Sequence, residues 1–342
     1  MSGKIVEYVK LVRLPGWGGY CITAVFGAIT VGVLDPLLLS LLFIIGGFVT
    51  LYGFVLNDYV DVATDNLSDD LIERPLVKGS IPPSHALYIS VLSIIIVYLI
   101  IFIAMYFSIF VQSIQTIAVF TIAVIFAAIY NIYGKKFPGS DVFVAGATAV
   151  YCIFGALAVS PTIKPLTWIV TIVTFFQVMY LNAIIGGLKD ADHDYKLGVR
   201  NIALTLGVKV KENKLFIPTT FKILALFFRT SSLIFMFIPI IFYVDFFYVD
   251  FPYEIWQPII MALMFLGVFI ATIKMIEMKK FIRNDLRKLI SIQAFLRYSI
   301  VPVMLLSFTG YYIGIFLLFF PFLWYAVFNR VLYGSASKPK TL

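Results

Sequence analysis

Ten apolar runs, separated by short polar stretches, divide the chain: Gly16–Leu34, Pro36–Leu56, Ala86–Phe107, Ile114–Tyr130, Phe143–Val159, Thr167–Gly187, Thr230–Tyr243, Trp256–Met278, Ile290–Ser307 and Tyr311–Leu332. Most approach the roughly 20 residues a helix needs to cross the hydrocarbon core of a bilayer. The last two are separated only by Phe308, Thr309 and Gly310, which leaves open one long bent element. There is no series of ten-residue alternating segments of the kind a membrane barrel needs, so the spans are predicted to be helices.

Composition agrees. Hydrophobic residues make up 61% of the 342 positions and charged residues 13%, with a mean hydropathy of +1.00, whereas soluble domains carry about 25% charged residues. The expectation is an all-α polytopic membrane protein, a single domain over residues 1–342 with nine to ten transmembrane helices. The net charge of +8 does not indicate nucleic acid, because the basic residues lie between apolar runs. With the amino terminus in the cytoplasm, 23 of the 26 Lys and Arg residues fall on the cytoplasmic side, Lys164 is the one base in an outside loop, and the segment holding Asp245, Asp250 and Glu254 has none. This is the asymmetry of the positive-inside rule, and it favours ten spans of the cell membrane with both termini in the cytoplasm. Cys21 and Cys152 lie in apolar runs, which points to neither a disulfide framework nor a metal knuckle. The first run has no small-residue cleavage site after it and is read as a retained helix.

Three cytoplasmic loops follow from this topology, at about residues 57–84, 131–141 and 188–222, and they hold most of the polar chemistry. The second run leads into Asn57-Asp58-Tyr59-Val60-Asp61-Val62-Ala63-Thr64-Asp65. If the helix continues, Asn57, Asp61 and Asp65 line one face and Asp58 lies about 100° away. The sixth run leads into Asp190-Ala191-Asp192-His193-Asp194, where Asp190 and Asp194 share a face in the same way. Like charges at this spacing repel, and carboxylates at a lipid boundary carry a desolvation cost. A divalent cation offsets both, and an oxygen-only donor set suits Mg2+ bridging to a substrate phosphate.

A solvated acidic loop is the simpler explanation of either segment alone; two matched segments at corresponding helix ends argue against it. Ion-coupled transport is the main rival, although transporter sites favour interrupted helices at the bilayer midplane. Basic residues stand close by: Arg74 in a loop framed by Pro75 and Gly79, Lys135 and Lys136 after Tyr130, and Arg13 at the start of the first run. Arg offers a planar fork to phosphate oxygens and Lys a point charge.

The string Asn57-Asp58-x-x-Asp61-x-x-x-Asp65, followed by Arg74-Pro75-Leu76 and Gly79-x-Ile81, resembles the first signature of the UbiA superfamily of intramembrane prenyltransferases. Asp190-x-x-x-Asp194 with Gly198 and Arg200 resembles the second, Tyr130 and Lys135 the motif after the fourth helix, and Arg13-Leu14-Pro15 the entry to the first. The resemblance implies a helical bundle around a central cavity opening near the cytoplasmic side, and Mg2+-dependent transfer of a prenyl chain from an isoprenyl diphosphate, such as geranyl to geranylgeranyl diphosphate, to an acceptor. It implies that Asn57, Asp61, Asp65, Asp190 and Asp194 hold the metal and diphosphate, that Arg74, Lys135 and Arg13 bind diphosphate oxygens, and that Tyr130 faces the reacting end. Asp58 belongs to the signature but is expected off the metal face, with a lesser role; Asp192 and His193 are assigned none.

Acceptors in this family include aromatic quinone precursors and an archaeal glycerol-phosphate lipid. In the lipid-directed members the gap before Arg-Pro is shorter and contains Asn and Pro. Here Asp65 and Arg74 are nine positions apart with no Pro between them. That leans toward a lipophilic, aromatic acceptor, with geranylgeranylglyceryl phosphate as the alternative.

Overall fold

A computed structural model describes residues 3–66, 71–212, 214–241 and 256–334, with only the backbone of His193, Lys196 and Leu197. The acidic segment 242–255, the linker residues 67–70 and the carboxyl-terminal lysines 338 and 340 lie outside the described residues.

Three short helices come first: α1 (Gly3–Leu11), α2 (Trp17–Tyr20) and α3 (Thr23–Thr30). The long helices are α4 (Pro36–Asp65), α5 (Pro83–Tyr106), α6 (Ile114–Tyr133), α7 (Asp141–Val159) and α8 (Pro165–Lys189). Next come α9 (Ala191–Leu197), α10 (Ile202–Thr205), and strands β1 (Lys209–Lys211) and β2 (Lys214–Phe216). The chain ends with α11 (Thr219–Ile241), α12 (Trp256–Ile276) and α13 (Arg283–Tyr333). Eight helices among the described residues, α4 to α8 and α11 to α13, are long and apolar enough to cross a membrane.

Two departures separate this number from the expected nine to ten. The first apolar run is not one helix: Leu14–Gly16 forms a 3-10 turn and α2 and α3 follow as separate pieces. Pro15 withholds a backbone donor, and Gly16, Gly18 and Gly19 weaken the helix on either side of it. At the other end, the last two runs join into the 51-residue α13, bent at Gly310, whose φ of 68° and ψ of 165° suit only glycine.

Local chemistry explains the helix starts. Asp35 accepts from the backbone N–H of Leu37 and Leu38, both at 2.9 Å, with Pro36 in the first turn of α4. Ser113 accepts from Gln115 N–H at 3.1 Å to begin α6. Packing then fixes the arrangement. Helices α3 and α7 approach backbone to backbone: a Cβ on Gly27 would lie 1.9 Å from Cys152 O, and one on Gly155 would lie 2.0 Å from Ala24 O. With lipid outside, this close approach of small residues supplies the contact that a hydrophobic driving force supplies in water. Apolar side chains such as Leu92, Ile114 and Leu263 remain exposed on outer faces.

The loops also differ from expectation. Residues 57–65 are the last turns of α4 rather than loop. The third polar segment, expected as a loop, folds into α9, α10 and a hairpin in which β1 and β2 pair antiparallel with Lys211 opposite Lys214. A small buried cluster of Leu11, Val55, Leu76, Ile81 and Ala86 pins the segment 71–82 between α1, α4 and α5, so the Arg74 loop has an apolar anchor. Ser80 Oγ donates to Glu7 Oε2 at 3.0 Å, and Lys10 Nζ to Glu7 Oε1 at 2.7 Å. Burial alone would raise the Glu7 carboxyl; these hydrogen bonds outweigh it and hold it below its ordinary range.

Candidate active site

The final turns of α4 present Asn57, Asp58, Asp61 and Asp65 at the helix end. Asp58 and Asp65 are buried, at 5% and 4% exposed. Their charges are met from three directions. Arg74 Nη1 donates to Asp65 Oδ2 at 2.5 Å and to Asp58 Oδ1 at 3.3 Å. Arg13 Nη2 donates to the same Asp58 oxygen. Lys135 Nζ lies 3.0 Å from Asp61 Oδ2, 3.6 Å from Asp65 Oδ1 and 3.2 Å from Thr64 Oγ1. Three carboxylates and three cations therefore form one lattice, drawn from α4 and from the segments after α1, before α5 and after α6.

Backbone detail aims each partner. Arg13 adopts the left-handed conformation, φ 49° and ψ 43°, uncommon for a residue with a side chain. Two indoles tie down its neighbours: Trp17 Nε1 donates to Val12 O at 2.9 Å, and Trp324 Nε1 to Leu14 O at 2.8 Å. The Arg13 guanidinium also rests 5.1 Å from the Phe54 ring centre. Of the two adjacent lysines, Lys135 enters the lattice while Lys136 lies 4.9 Å over the Tyr133 ring.

The second motif is built differently from a simple helix end. Residues Tyr180–Gly186 form a π-helical segment in α8, and the helix breaks at Asp190, with φ −105° and ψ 6°. Asp190 and Asp194 remain one turn apart, since Asp194 N–H donates to Asp190 O at 2.8 Å, but they sit across a helix junction rather than on one continuous face. Asn201 Oδ1 caps α10 by accepting from Leu204 N–H at 2.8 Å, and its Nδ2 donates to Asp194 Oδ2 at 2.6 Å. Asp192 is paired with Arg283 at 2.8 Å, a structural tie to α13.

Tyr130 joins α6 to α8: its hydroxyl donates to Asn182 Oδ1 at 3.4 Å, within the π segment. A π turn inside a helix commonly marks a functional site, and here it turns Asn182 toward Tyr130. Arg200 N–H donates to Lys135 O at 3.2 Å, holding the second-motif loop against the end of α6.

Asp58, expected off the metal face with a lesser role, is the acid that Arg13 and Arg74 share. Thr64, Asn182 and Asn201 were not singled out; the one available signal was Asn182, an amide inside an otherwise apolar run. Among the described residues no three His, Cys, Asp or Glu side chains converge as a ready metal site. Asp58, Asp61 and Asp65 turn toward the basic side chains instead, which neutralise them. The donor chemistry nonetheless suits a hard cation: carboxylate and amide oxygens, with the side chains of Asn57 and Asp190 making no hydrogen bond among the described residues.

Fold and site together define a polytopic helical membrane protein with an interleaved acidic and basic cluster at one end of its bundle. The model of the UbiA prenyltransferase family matches residues 20–253, and the chain belongs to that family of prenyltransferases. It is 26% identical over 213 residues to a digeranylgeranylglyceryl phosphate synthase from Saccharolobus solfataricus, covering 60% of this chain and 70% of that one. Its fold is similar to that of a structure concerned with digeranylgeranylglyceryl phosphate synthase in membranes, with a TM-score of 0.63, 20% identity and 90% and 97% of the two chains covered. It is also similar to a UbiA homologue from Archaeoglobus fulgidus bound to DMAPP and Mg2+, with a TM-score of 0.61, 16% identity and 89% and 99% covered.

Proposed function

We propose that this protein moves an isoprenyl group from a prenyl diphosphate to a lipophilic acceptor at the cytoplasmic mouth of its bundle. The reading counts the broken first run and the two halves of α13 as separate spans, ten in all, with both termini on the cytoplasmic side, as the charge asymmetry supports, around a central cavity. The observation that carries the reading is the charge lattice itself. Carboxylates and cations alternate beside Tyr130, so a metal–diphosphate ligand can insert by exchanging partners, its cation taking acids and its phosphates taking bases.

Asn57, Asp61, Asp65, Asp190 and Asp194 would hold Mg2+, as the bound metal and prenyl diphosphate in the Archaeoglobus homologue support. When bound, the metal neutralises the leaving diphosphate. Arg74, Lys135 and Arg13 would take its oxygens in charge-assisted hydrogen bonds. Tyr130, oriented by Asn182, would face the allylic carbon as positive charge develops there. The apolar helices around it keep water from that carbon.

Similarity to the Saccharolobus synthase supports geranylgeranylglyceryl phosphate as acceptor. The long, proline-free linker between Asp65 and Arg74 supports an aromatic quinone precursor as the second reading. A panel of both acceptors with radiolabelled geranyl and geranylgeranyl diphosphates in Mg2+ separates them by which product forms. Asp61→Ala and Asp190→Ala are expected to abolish Mg2+-dependent diphosphate release. Undiminished turnover would overturn the assignment, as would reconstituted protein that moves a solute along an ion gradient and consumes no diphosphate.

A further inference from the structure

Two arginines lie inside the bundle, away from the charge lattice. Arg229 on α11 is 2% exposed and Arg297 on α13 is 6% exposed. Each act of burying a charge costs several kcal/mol unless an opposite charge or full hydrogen bonding offsets it. Neither guanidinium has a carboxylate within ion-pair distance among the described residues. Arg229 donates from Nε to Thr272 Oγ1 at 3.2 Å and from Nη2 to Gln293 Oε1, and it stacks 3.3 Å from the Tyr180 ring centre. Arg297 has less: it lies 4.6 Å from the ring centre of its neighbour Tyr298 and makes no hydrogen bond among the described residues. Gln293, the acceptor of Arg229, lies one turn before Arg297 on α13, which brings the two arginines to the same level of the bundle. Two buried like charges converging without a counter-charge form a place prepared for an anion, and repel any cation that forms nearby.

Position narrows what that anion is. A chain of contacts joins this pair to the lattice: Arg13 over Phe54, Phe54 edge-on to Tyr20 at 5.0 Å, and Tyr298 packed against Gly19, where a Cβ would lie 3.0 Å from the ring. Tyr180, on which Arg229 stacks, precedes Asp190 by ten residues on α8, so the arginine layer lies deeper in the bundle than the aspartate layer. An acceptor held there by a charged group would reach from that layer toward the diphosphate.

We infer that Arg229 and Arg297 form a second anion site that receives the phosphate or carboxylate of the prenyl acceptor. The inference rests on the proposed prenyl transfer and assigns its acceptor a class: lipophilic molecules bearing an anionic group. Guanidinium forks suit both phosphate and carboxylate.

The test is a binding measurement, with no donor present, on the full chain purified in detergent. The probes are geranylgeranylglyceryl phosphate, its phosphate-free counterpart geranylgeranylglycerol, and 4-hydroxybenzoate. Arg297→Gln is expected to weaken the binding anionic acceptor about tenfold or more, in line with loss of a hydrogen bond to a charged group. Binding of geranylgeranylglycerol should be the same in both proteins, and Arg297→Lys should recover part of the loss. Retained binding of geranyl diphosphate with Mg2+ shows that the variant is folded; if it is not, Arg229→Gln and Arg297→Lys are read in its place. Which anionic probe responds separates the lipid source from the aromatic one. Equal affinity in native and variant proteins, or no binding of either anionic probe to the native protein, would overturn the inference. Native protein that binds an anionic probe through these arginines yet transfers no prenyl group would leave the anion site standing and remove the transfer reading.

Discussion

Arg74 and Asp65 are nine residues apart in the chain, and Arg74 Nη1 lies 2.5 Å from Asp65 Oδ2. That contact folds the Arg74 loop back over the end of α4 and lets one guanidinium serve Asp58 and Asp65 together. Replacing it with Gln leaves a buried Asp65 with Lys135 alone at 3.6 Å. Arg74→Gln is expected to raise KM for the prenyl diphosphate about tenfold or more, as steady-state kinetics over donor concentration would show, and to lower the melting temperature.

The adjacent lysines should behave differently. Lys135→Met removes the cation that Asp61, Thr64 and Asp65 share, and turnover should fall by more than about tenfold. Lys136→Met removes only a contact with the Tyr133 ring and should keep most of the activity. Equal losses in the two variants, assayed side by side, would contradict the geometry.

Metal removal should stop catalysis without unfolding the protein. Asp58, Asp61 and Asp65 have cationic side-chain partners of their own, so chelation does not leave bare buried charge. Diphosphate release should vanish with EDTA and return with Mg2+, while the melting temperature moves by no more than about two degrees; a larger fall would make the metal a structural component.

Tyr130→Phe deletes the hydroxyl bonded to Asn182 and keeps the ring. A drop in kcat with little change in donor KM is expected, because in the proposed site the hydroxyl would face the reacting end rather than the diphosphate. Asn182→Leu, which frees the same hydroxyl, should lower kcat in the same direction.

Gly155→Leu should prevent folding. Its first side-chain atom would stand 2.0 Å from Ala24 O, and neither backbone can move without separating α3 from α7. Loss of monodisperse protein on gel filtration, with Gly53→Ala as a tolerated control in open space, checks this.

Much of the site was legible because helical spacing turns a one-dimensional pattern into a face. Asp61 and Asp65 do lie one turn apart on an unbroken α4, and the apolar runs mark the long helices. The π segment was not legible, because an extra residue in a helical turn leaves the composition of Tyr180–Gly186 as apolar as before. Nor was the hairpin at Lys209–Phe216, whose strands depend on pairing with each other and, through Lys214, with Lys280 far along the chain.

The chain by itself determined membrane insertion, the helical class and the residues carrying charge, since these follow from local hydropathy and from the 3.6-residue turn. Only the tertiary structure decided which charges meet. Asp58 appeared peripheral on its own helix and became the shared partner of Arg13 and Arg74, because those two arrive from separate loops. Arg229 and Arg297 are 68 residues apart in the chain, and packing buries both, with Arg229 bonded to Gln293 one turn from Arg297. Electrostatic attraction and repulsion depend on distance in space, and separation along the sequence does not encode it.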